Sequence, residues 1–483
     1  MSHTPTEEQA LIIAAARDTT DNLIVSALAG AAKTSTLVML AEAIPETKIL
    51  CLAFNKKIAV EMTDRLPKNC TALTLNSLGH RVWAECLGKR IILDKDKNYN
   101  NLTTLVKGLK GKEQEEGYSI FADTLKLIAM GKAFGYIPTG HYPNAKGLMG
   151  DVEFFAVMEE EPSALQESLI REATLMSLKQ AWEGKIDFDD QILMPTVFPS
   201  MFPSYPLIMI DEAQDLSALN HATLQKLVGK KRVIAVGDRN QAIYGFRGAD
   251  ANSMDLLQKQ FEMKPYILSI SFRCPRKVVE AARWRAPHMR YPDWAIEGEV
   301  KQVFKWDETA IPDTAAIICR NNAPLFTMAI KLLKNGRYPN IIGNDIGKYL
   351  LKVMRKFSKN NSTPQPIVMV CIDDWVEQKL KKTRAAGKVH DQAACLRIFA
   401  RQGNDLGDAI AYAEYIFASQ GPTLLMTGHK SKGLEFDTVF FLDEGLIKLE
   451  KEQERNLKYV IQTRAKKALF YVSSDNFLDY SEA

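Results

Sequence analysis

The sequence predicts an α/β fold: two units with parallel sheets, each carrying a mainly helical insert. Three observations point there. Short apolar runs recur with helix-like stretches between them, which is the rhythm of parallel strands joined by crossover helices. That rhythm lapses twice, over 86–185 and 346–420, where strand signals fade and helical patterns take over. The length, 483 residues, gives several domains and ample core.

Composition narrows the class. The chain is 46% hydrophobic and 25% charged, as for an ordinary folded protein. A net charge of +4 permits nucleic acid as a partner without demanding it. Seven cysteines are scattered without a C-x-x-C pair, which suits reduced thiols rather than disulfides or zinc. His80, His141, His221, His288 and His390 lack partners at metal-ligand spacing. The opening MSHTPTEEQ reads as neither a signal peptide nor a basic leader, and no apolar run reaches membrane-spanning length. The expected location is the cytoplasm, or the nucleus in a eukaryote, with no membrane partner.

In chain order, Pro5 suits the first turn of a helix through Ala10, Leu11, Ile12, Ala14 and Ala15. Leu23-Ile24-Val25 is a buried strand, and Lys33-Thr34 open a helix through Leu37, Val38 and Leu40. A second strand spans 48–53. A helix over 55–66 is expected to turn Ile58, Val60 and Met62 inward, and a third strand runs over 71–75. After the first insert the strands resume at 206–210, 232–236 and 266–270, the last opening the second half together with 315–319. The second insert is basic at 352–359 and 379–388. Strands at 424–426, 438–442 and 469–472 complete the second sheet.

Three stretches carry chemistry. The first is NLIVSALAGAAKTST over 22–36. A strand, a small-residue loop and a helix start form the layout of a phosphate-binding P-loop: backbone N–H groups and the helix N-terminus face phosphate, Lys33 adds charge, and Thr34 reaches Mg²⁺. The pattern G-x-x-x-x-G-K-[ST] puts Gly at 27 and 32, where this chain has Ala; only Gly30 supplies backbone freedom. The second stretch is the strand Ile208-Met-Ile210 running into Asp211-Glu212-Ala213-Gln214-Asp215. Beside a P-loop, Asp211 would hold Mg²⁺ and Glu212 would activate water. The third is VGDRNQAIYGFRGA over 236–249. Gln241 can meet a γ-phosphate there, while Tyr244, Phe246 and Arg247 can offer flat faces and a cation to unpaired bases.

DEAQD followed by VGDRNQAIYGFRGA resembles motifs II and III of the UvrD/Rep/PcrA group of superfamily 1 DNA helicases. The other motifs of that family have counterparts in family order. Thr6-Glu-Glu-Gln9 resembles the Q motif, which implies that Gln9 reads adenine. ALAGAAKT resembles motif I, with Ala29, Gly30, Ala31, Ala32, Lys33, Thr34 and Ser35 around the phosphates. Ala53-Phe54-Asn55-Lys56 resembles motif Ia, and Thr74-Leu-Asn76-Ser77-Leu78 the segment after it; the resemblance places Phe54, Asn55, Asn76 and Ser77 at DNA. Asp187-Phe-Asp-Asp190 resembles the DFDDL signature. Ser271-Phe272-Arg273 resembles motif IV, implying Phe272 stacked on adenine and Arg273 at the γ-phosphate. TGHKSKGLEF over 427–436 resembles motif V, with Thr427 and His429 at DNA and Glu435 at the ribose. Residues 454–465 resemble motif VI, with Arg464 as a second arginine at the γ-phosphate. The phrasing AFNKKIAVEM and GHKSKGLEFD is similar to F-box DNA helicases and their phage and bacterial relatives, without an F-box-like extension.

The resemblance implies two RecA-like P-loop domains: an ATP-binding domain (1–85 and 186–264) with helical insert 86–185, and a second (265–345 and 421–483) with insert 346–420. It implies a monomer that uses ATP and Mg²⁺, moves 3′→5′ along single-stranded DNA, and unwinds partly duplex DNA, with recombination or replication proteins as partners. Lys33, Glu212, Gln241, Arg273 and Arg464 would be the hydrolytic set. Departures are Ala27 and Ala32 in motif I, and Leu75-Asn76 where the family has Phe-His; a methyl at 32 is expected to tell on affinity or turnover. Two other readings stay open: a translocase that mainly strips proteins from DNA, and a non-catalytic DNA-binding scaffold with a weakened P-loop.

Overall fold

The computed structural model describes residues 4–45, 47–158, 161–245, 252–343, 345–381 and 386–478. Two compact units divide the chain: Met1–Leu28 with Ala32–Leu268, and Ala29–Ala31 with Ser269–Ala483. Phe246 and Arg247 lie outside the described residues.

The first unit is built on a six-stranded parallel sheet. Its strands are β1 (Leu23–Ala27), β2 (Ile49–Ala53), β3 (Cys70–Thr74), β6 (Leu207–Ile210), β7 (Arg232–Gly237) and β8 (Lys264–Leu268), in spatial order β3-β2-β6-β7-β1-β8. Two short strands, β4 (Ile92–Leu93) and β5 (Lys185–Ile186), pair apart from it. β2 and β6 are buried along their whole length, which is why they read as unbroken apolar runs.

β8 corrects one expectation. Instead of opening the second half, it pairs with β1 from Leu23↔Lys264 to Ala27↔Leu268. Apolar spacing reveals a strand but not which sheet accepts it. Residues 269 and 270 leave the sheet, and Ile270 bridges to Arg290.

Local chemistry moves two other expectations. The first helix begins at Glu7, after Pro5, because Thr6 caps it: Thr6 Oγ1 accepts from Gln9 N–H while Gln9 Oε1 accepts from Thr6 N–H. In the helix Lys56–Arg65 the buried residues are Ala59 and Met62, three apart on one face. Val60 lies off that face and is 54% exposed.

Between β3 and β6 the chain is largely helical: Leu75–Leu87, Lys97–Gly108, Gly111–Ala133, Ala164–Trp182 and Asp190–Val197. Leu102, Val106, Ile128, Tyr136, Phe154 and Ile170 form a core of their own, separate from the core under the sheet. A buried ion cluster fastens these helices to the return segment. Lys97 meets Asp190 at 2.5 Å, and Lys132 meets Asp187 at 2.5 Å and Asp190 at 2.8 Å. Ser177 accepts a further bond from Lys132 at 2.7 Å.

The second unit has another six-stranded parallel sheet: β9 (Glu299–Val303), β10 (Ala315–Cys319), β11 (Pro339–Ile341), β12 (Thr423–Thr427), β13 (Phe436–Leu442) and β14 (Ala465–Val472), in order β11-β12-β10-β13-β14-β9. The helices Asp345–Phe357, Gln365–Leu380, Ala386–Ala400 and Leu406–Ala418 pack onto it. Their buried residues, among them Leu350, Ile372, Phe399 and Leu406, belong to the same core as Ile317 and Leu425 of the sheet. Among the described residues, no helix is long and apolar enough to cross a membrane.

Candidate functional site

The first unit gathers its chemistry at the C-terminal ends of its strands, where parallel α/β sheets place ligands. After β1 the chain reaches Ala32, which sits in the left-handed region (φ 56°, ψ 40°) and starts the helix Lys33–Glu42. Lys33 Nζ lies 3.7 Å from Glu212 Oε1. Thr34 Oγ1 lies 3.3 Å from Asp211 Oδ2. Asp211 extends the ladder of β6 by donating its N–H to Leu52 O, so its side chain emerges at the strand end. Glu212 then takes a left-handed conformation (φ 51°, ψ 44°). A non-glycine residue held there stores strain, and such residues cluster at functional sites.

Asp211 is buried, and burial, followed by the charge of Glu212, pushes its carboxyl up to about 7, against the pull of Lys33. A buried carboxylate facing a threonine hydroxyl is short of positive charge. Two hard oxygens at that spacing suit Mg²⁺, whose usual ligands are oxygen atoms.

Sequence reading missed Gln214. Its Nε2 donates to Glu212 Oε2 at 2.6 Å, and its Oε1 accepts from Asp238 N–H at 2.9 Å. One amide thus ties Glu212 to the end of β7. A Cβ at Gly237 would stand 2.6 Å from that Oε1, so Gly237 is required for the tie. Gln241 is buried and donates to Asp238 Oδ2 at 2.6 Å. The signal for Gln214 was its place in DEAQD; its role is set by a neighbour 24 residues away.

Other expected nucleotide residues already have partners. The Nε2 of buried Gln9 donates to Thr36 Oγ1 at 3.0 Å while its Oε1 completes the helix cap. Ser35 Oγ accepts from Arg65 at 2.8 Å.

Residues expected at DNA fall into two groups. Phe54 and Tyr244 present parallel rings, 1° between planes and 6.2 Å between centroids, and Phe54 is 44% exposed. They line one cavity together with Asn76. Asn55 and Ser77 serve their own helices: Asn55 Oδ1 accepts from Ile58 N–H, and Ser77 N–H donates to Thr74 Oγ1.

In the second unit, Gly30 O accepts from Phe272 N–H at 2.9 Å, and Ala29 N–H donates to Tyr459 Oη at 3.0 Å. Ala31 is buried. Phe272 is 38% exposed and stacks on Trp294 at 6.3 Å. Arg273 and Glu435 hold each other, with Nη2–Oε1 at 2.5 Å and Nε–Oε1 at 2.7 Å. Arg464 is buried and donates to Val460 O and Thr463 Oγ1. Burial, then the neighbouring Arg273, lowers its guanidinium to about 10. Thr427 ends β12 and begins the short helix that contains His429.

Known proteins share this arrangement of sequence. Residues 159–262 match the family model of the UvrD/REP helicase N-terminal domain, and residues 422–472 that of the UvrD-like helicase C-terminal domain. The first match contains Asp211, Glu212 and Gln241 but begins beyond Lys33. F-box DNA helicase protein 1 of Schizosaccharomyces pombe is 24% identical over 96% of this chain and 57% of its own length. F-box DNA helicase 1 of Gallus gallus is 26% identical over 93% and 47%. ATP-dependent DNA helicase PcrA of Leuconostoc citreum is 24% identical over 64% and 43%. The chain spans about half the length of the curated relatives it matches. The N-terminal-domain match thus falls in the unit of the first parallel sheet and the C-terminal-domain match in the unit of the second, so each unit carries sequence similar to the UvrD-like helicases.

Proposed function

We propose that the chain is an ATP-dependent DNA helicase that moves 3′→5′ along single-stranded DNA and unwinds the duplex ahead of it. The observation that carries this reading is the cluster Lys33, Thr34, Asp211 and Glu212 at the strand ends of the first sheet. The direction of travel rests on family resemblance alone.

Lys33 and the N–H groups at the start of its helix hold the phosphates of ATP. Thr34 and Asp211 hold Mg²⁺, which neutralises charge on the phosphate oxygens when bound. Glu212, oriented by Gln214, takes a proton from the water that attacks the γ-phosphorus. Gln241 stabilises the departing γ-phosphoryl group, and a like role for Arg273 and Arg464 rests on family resemblance alone. In the second unit Arg273 is held by Glu435, a pair that Arg273 would have to leave before taking a phosphate oxygen. Phe54 and Tyr244 stack on bases, and phosphate contacts grip the strand without reading sequence.

ATP hydrolysis measured with and without single-stranded DNA tests the reading; hydrolysis indifferent to DNA would overturn it. Glu212→Gln should retain ATP binding and lose turnover by about 10²-fold or more. Strand displacement on 3′- and 5′-tailed duplexes, run beside displacement of a DNA-bound protein, reports direction and separates unwinding from protein stripping.

A further inference from the structure

Glu212 keeps a left-handed backbone (φ 51°, ψ 44°), and a non-glycine residue stays there only where its surroundings over-determine it. Its side chain is held by Gln214 at Oε2 and lies near Lys33 at Oε1. A further hold comes from remote segments. Directly after Glu212 the chain makes one tight turn, Ala213–Asp215. The carbonyl of Ala213, a fully buried residue, accepts from the hydroxyl of Ser253 at 2.6 Å. Among the described residues, no backbone N–H from outside the turn reaches that carbonyl.

Ser253 opens the helix Ser253–Gln260, 40 residues further along the chain, and is buried. Its Oγ lies 3.0 Å from Nε2 of His221, a buried residue of the helix Ala218–Val228. Ser253 has one hydroxyl hydrogen and gives it to Ala213, so Nε2 supplies the hydrogen of the second bond. The chain of bonds runs one way: His221 N–H to Ser253 O–H to Ala213 C=O. Hydrogen bonds in such a series polarise and strengthen one another. Packing closes the same spot. A Cβ at Gly237 would stand 3.0 Å from Met254 Sδ and 3.1 Å from Ala213 N, so the helix start and the turn meet at the end of β7.

The held carbonyl belongs to the planar peptide unit that ends at the nitrogen of Gln214. Fixing its oxygen fixes the point from which the Gln214 side chain leaves, and that side chain donates to Glu212. We propose that Ser253 and His221 are positioning residues for ATP hydrolysis: through Ala213 and Gln214 they keep the Glu212 carboxylate aimed at the attacking water. The inference rests on the hydrolysis reading above. Lys33, Thr34 and Asp211, the groups for phosphate and Mg²⁺, take their places from the helix Lys33–Glu42 and the end of β6. Cutting the chain of bonds therefore slows turnover without loosening nucleotide.

The test measures kcat and KM for ATP with single-stranded DNA present, beside the affinity for a fluorescent ATP analogue, in full-length variants of the chain. Ser253→Ala should lower kcat about tenfold while KM and the analogue's affinity stay within about twofold. In a Glu212→Gln background, read by single-turnover hydrolysis, the same change should cost less than about twofold, because the group it aims is gone. His221→Leu should lower kcat about threefold. His221→Gln, which sets a carboxamide N–H within reach of the Ser253 oxygen, should recover it. An unchanged kcat in Ser253→Ala, a loss that persists in the Glu212→Gln background, or a loss that appears as weaker nucleotide binding would overturn the proposal. Should Ser253→Ala fail to fold, the two His221 variants decide, and equal kcat in both would overturn it. A parent that hydrolyses no ATP, or Glu212→Gln that turns over like the parent, would instead remove the hydrolysis reading on which the proposal stands.

Discussion

Ala32 and Asp189 each carry a cost that a single substitution can expose. Ala32 holds φ at 56°, where an L-residue with a Cβ loses about 1–2 kcal/mol. Glycine escapes that penalty but gives back about 0.4–1 kcal/mol through a freer unfolded chain. Ala32→Gly should therefore raise stability by about 0.5 kcal/mol, whereas Ala31→Gly, with no left-handed backbone to relieve, should lower it by about 0.5–1 kcal/mol. Urea unfolding of the two variants reads the opposite signs. Asp189 titrates near 7 in the folded chain, well above an unfolded aspartate at about 3.9. The folded state binds that proton more tightly, so the stability it contributes is full below about pH 4 and is lost as pH rises through about 7. Asp189→Asn, always neutral, should match the parent at about pH 4 and exceed it above about pH 7 by roughly 1–2 kcal/mol, the full shift being discounted for contact with water. An advantage independent of pH would contradict the raised value.

At the scale of elements, the pair of lysines under the first unit's helices is the most exacting contact. Lys97 and Lys132 are fully buried and share Asp187 and Asp190. Removing one partner of a buried ion pair strands the other charge and costs about 3–5 kcal/mol. Lys97→Met should thus lower the urea midpoint sharply; a midpoint like the parent's would show that the cluster is no tether. Sequence made the interior strands plain because both faces of β2, β6 and β10 are buried and nothing polar interrupts them. It did not show β9, whose EVKQV is nowhere fully buried at a sheet edge, or β11, three residues long and beginning with a proline that only an edge tolerates. The candidate site follows the same logic. Lys33, Thr34, Asp211 and Glu212 stand at strand or helix ends, where spacing announces them. Gln214 gets its role from a partner remote in sequence, and spacing alone says nothing of it.

For the molecule as a whole, strand order is what the sequence could not announce. Consecutive β1 and β2 are not neighbours: β1 lies between β7 and β8, and β6 separates β2 from β7. A chain shortened to residues 1–228 would keep every residue of the P-loop and lack both strands that flank it. It should bind no ATP, and hydrogen exchange at Leu23–Ala27 should be unprotected. Partial protection in that fragment would mean that β1 finds another place to pair. The same order sets a schedule for synthesis. Leu23 waits for Ile234 on one side and Lys264 on the other. A ribosome adding roughly 5–20 residues per second leaves that strand without both partners for roughly 10–50 s. During that interval an apolar strand depends on chaperones or on speed, and a nucleotide bound as proposed could not assist, because nothing yet shapes the loop after β1. Strand β1 is made well before β7 and β8, the two strands that enclose it.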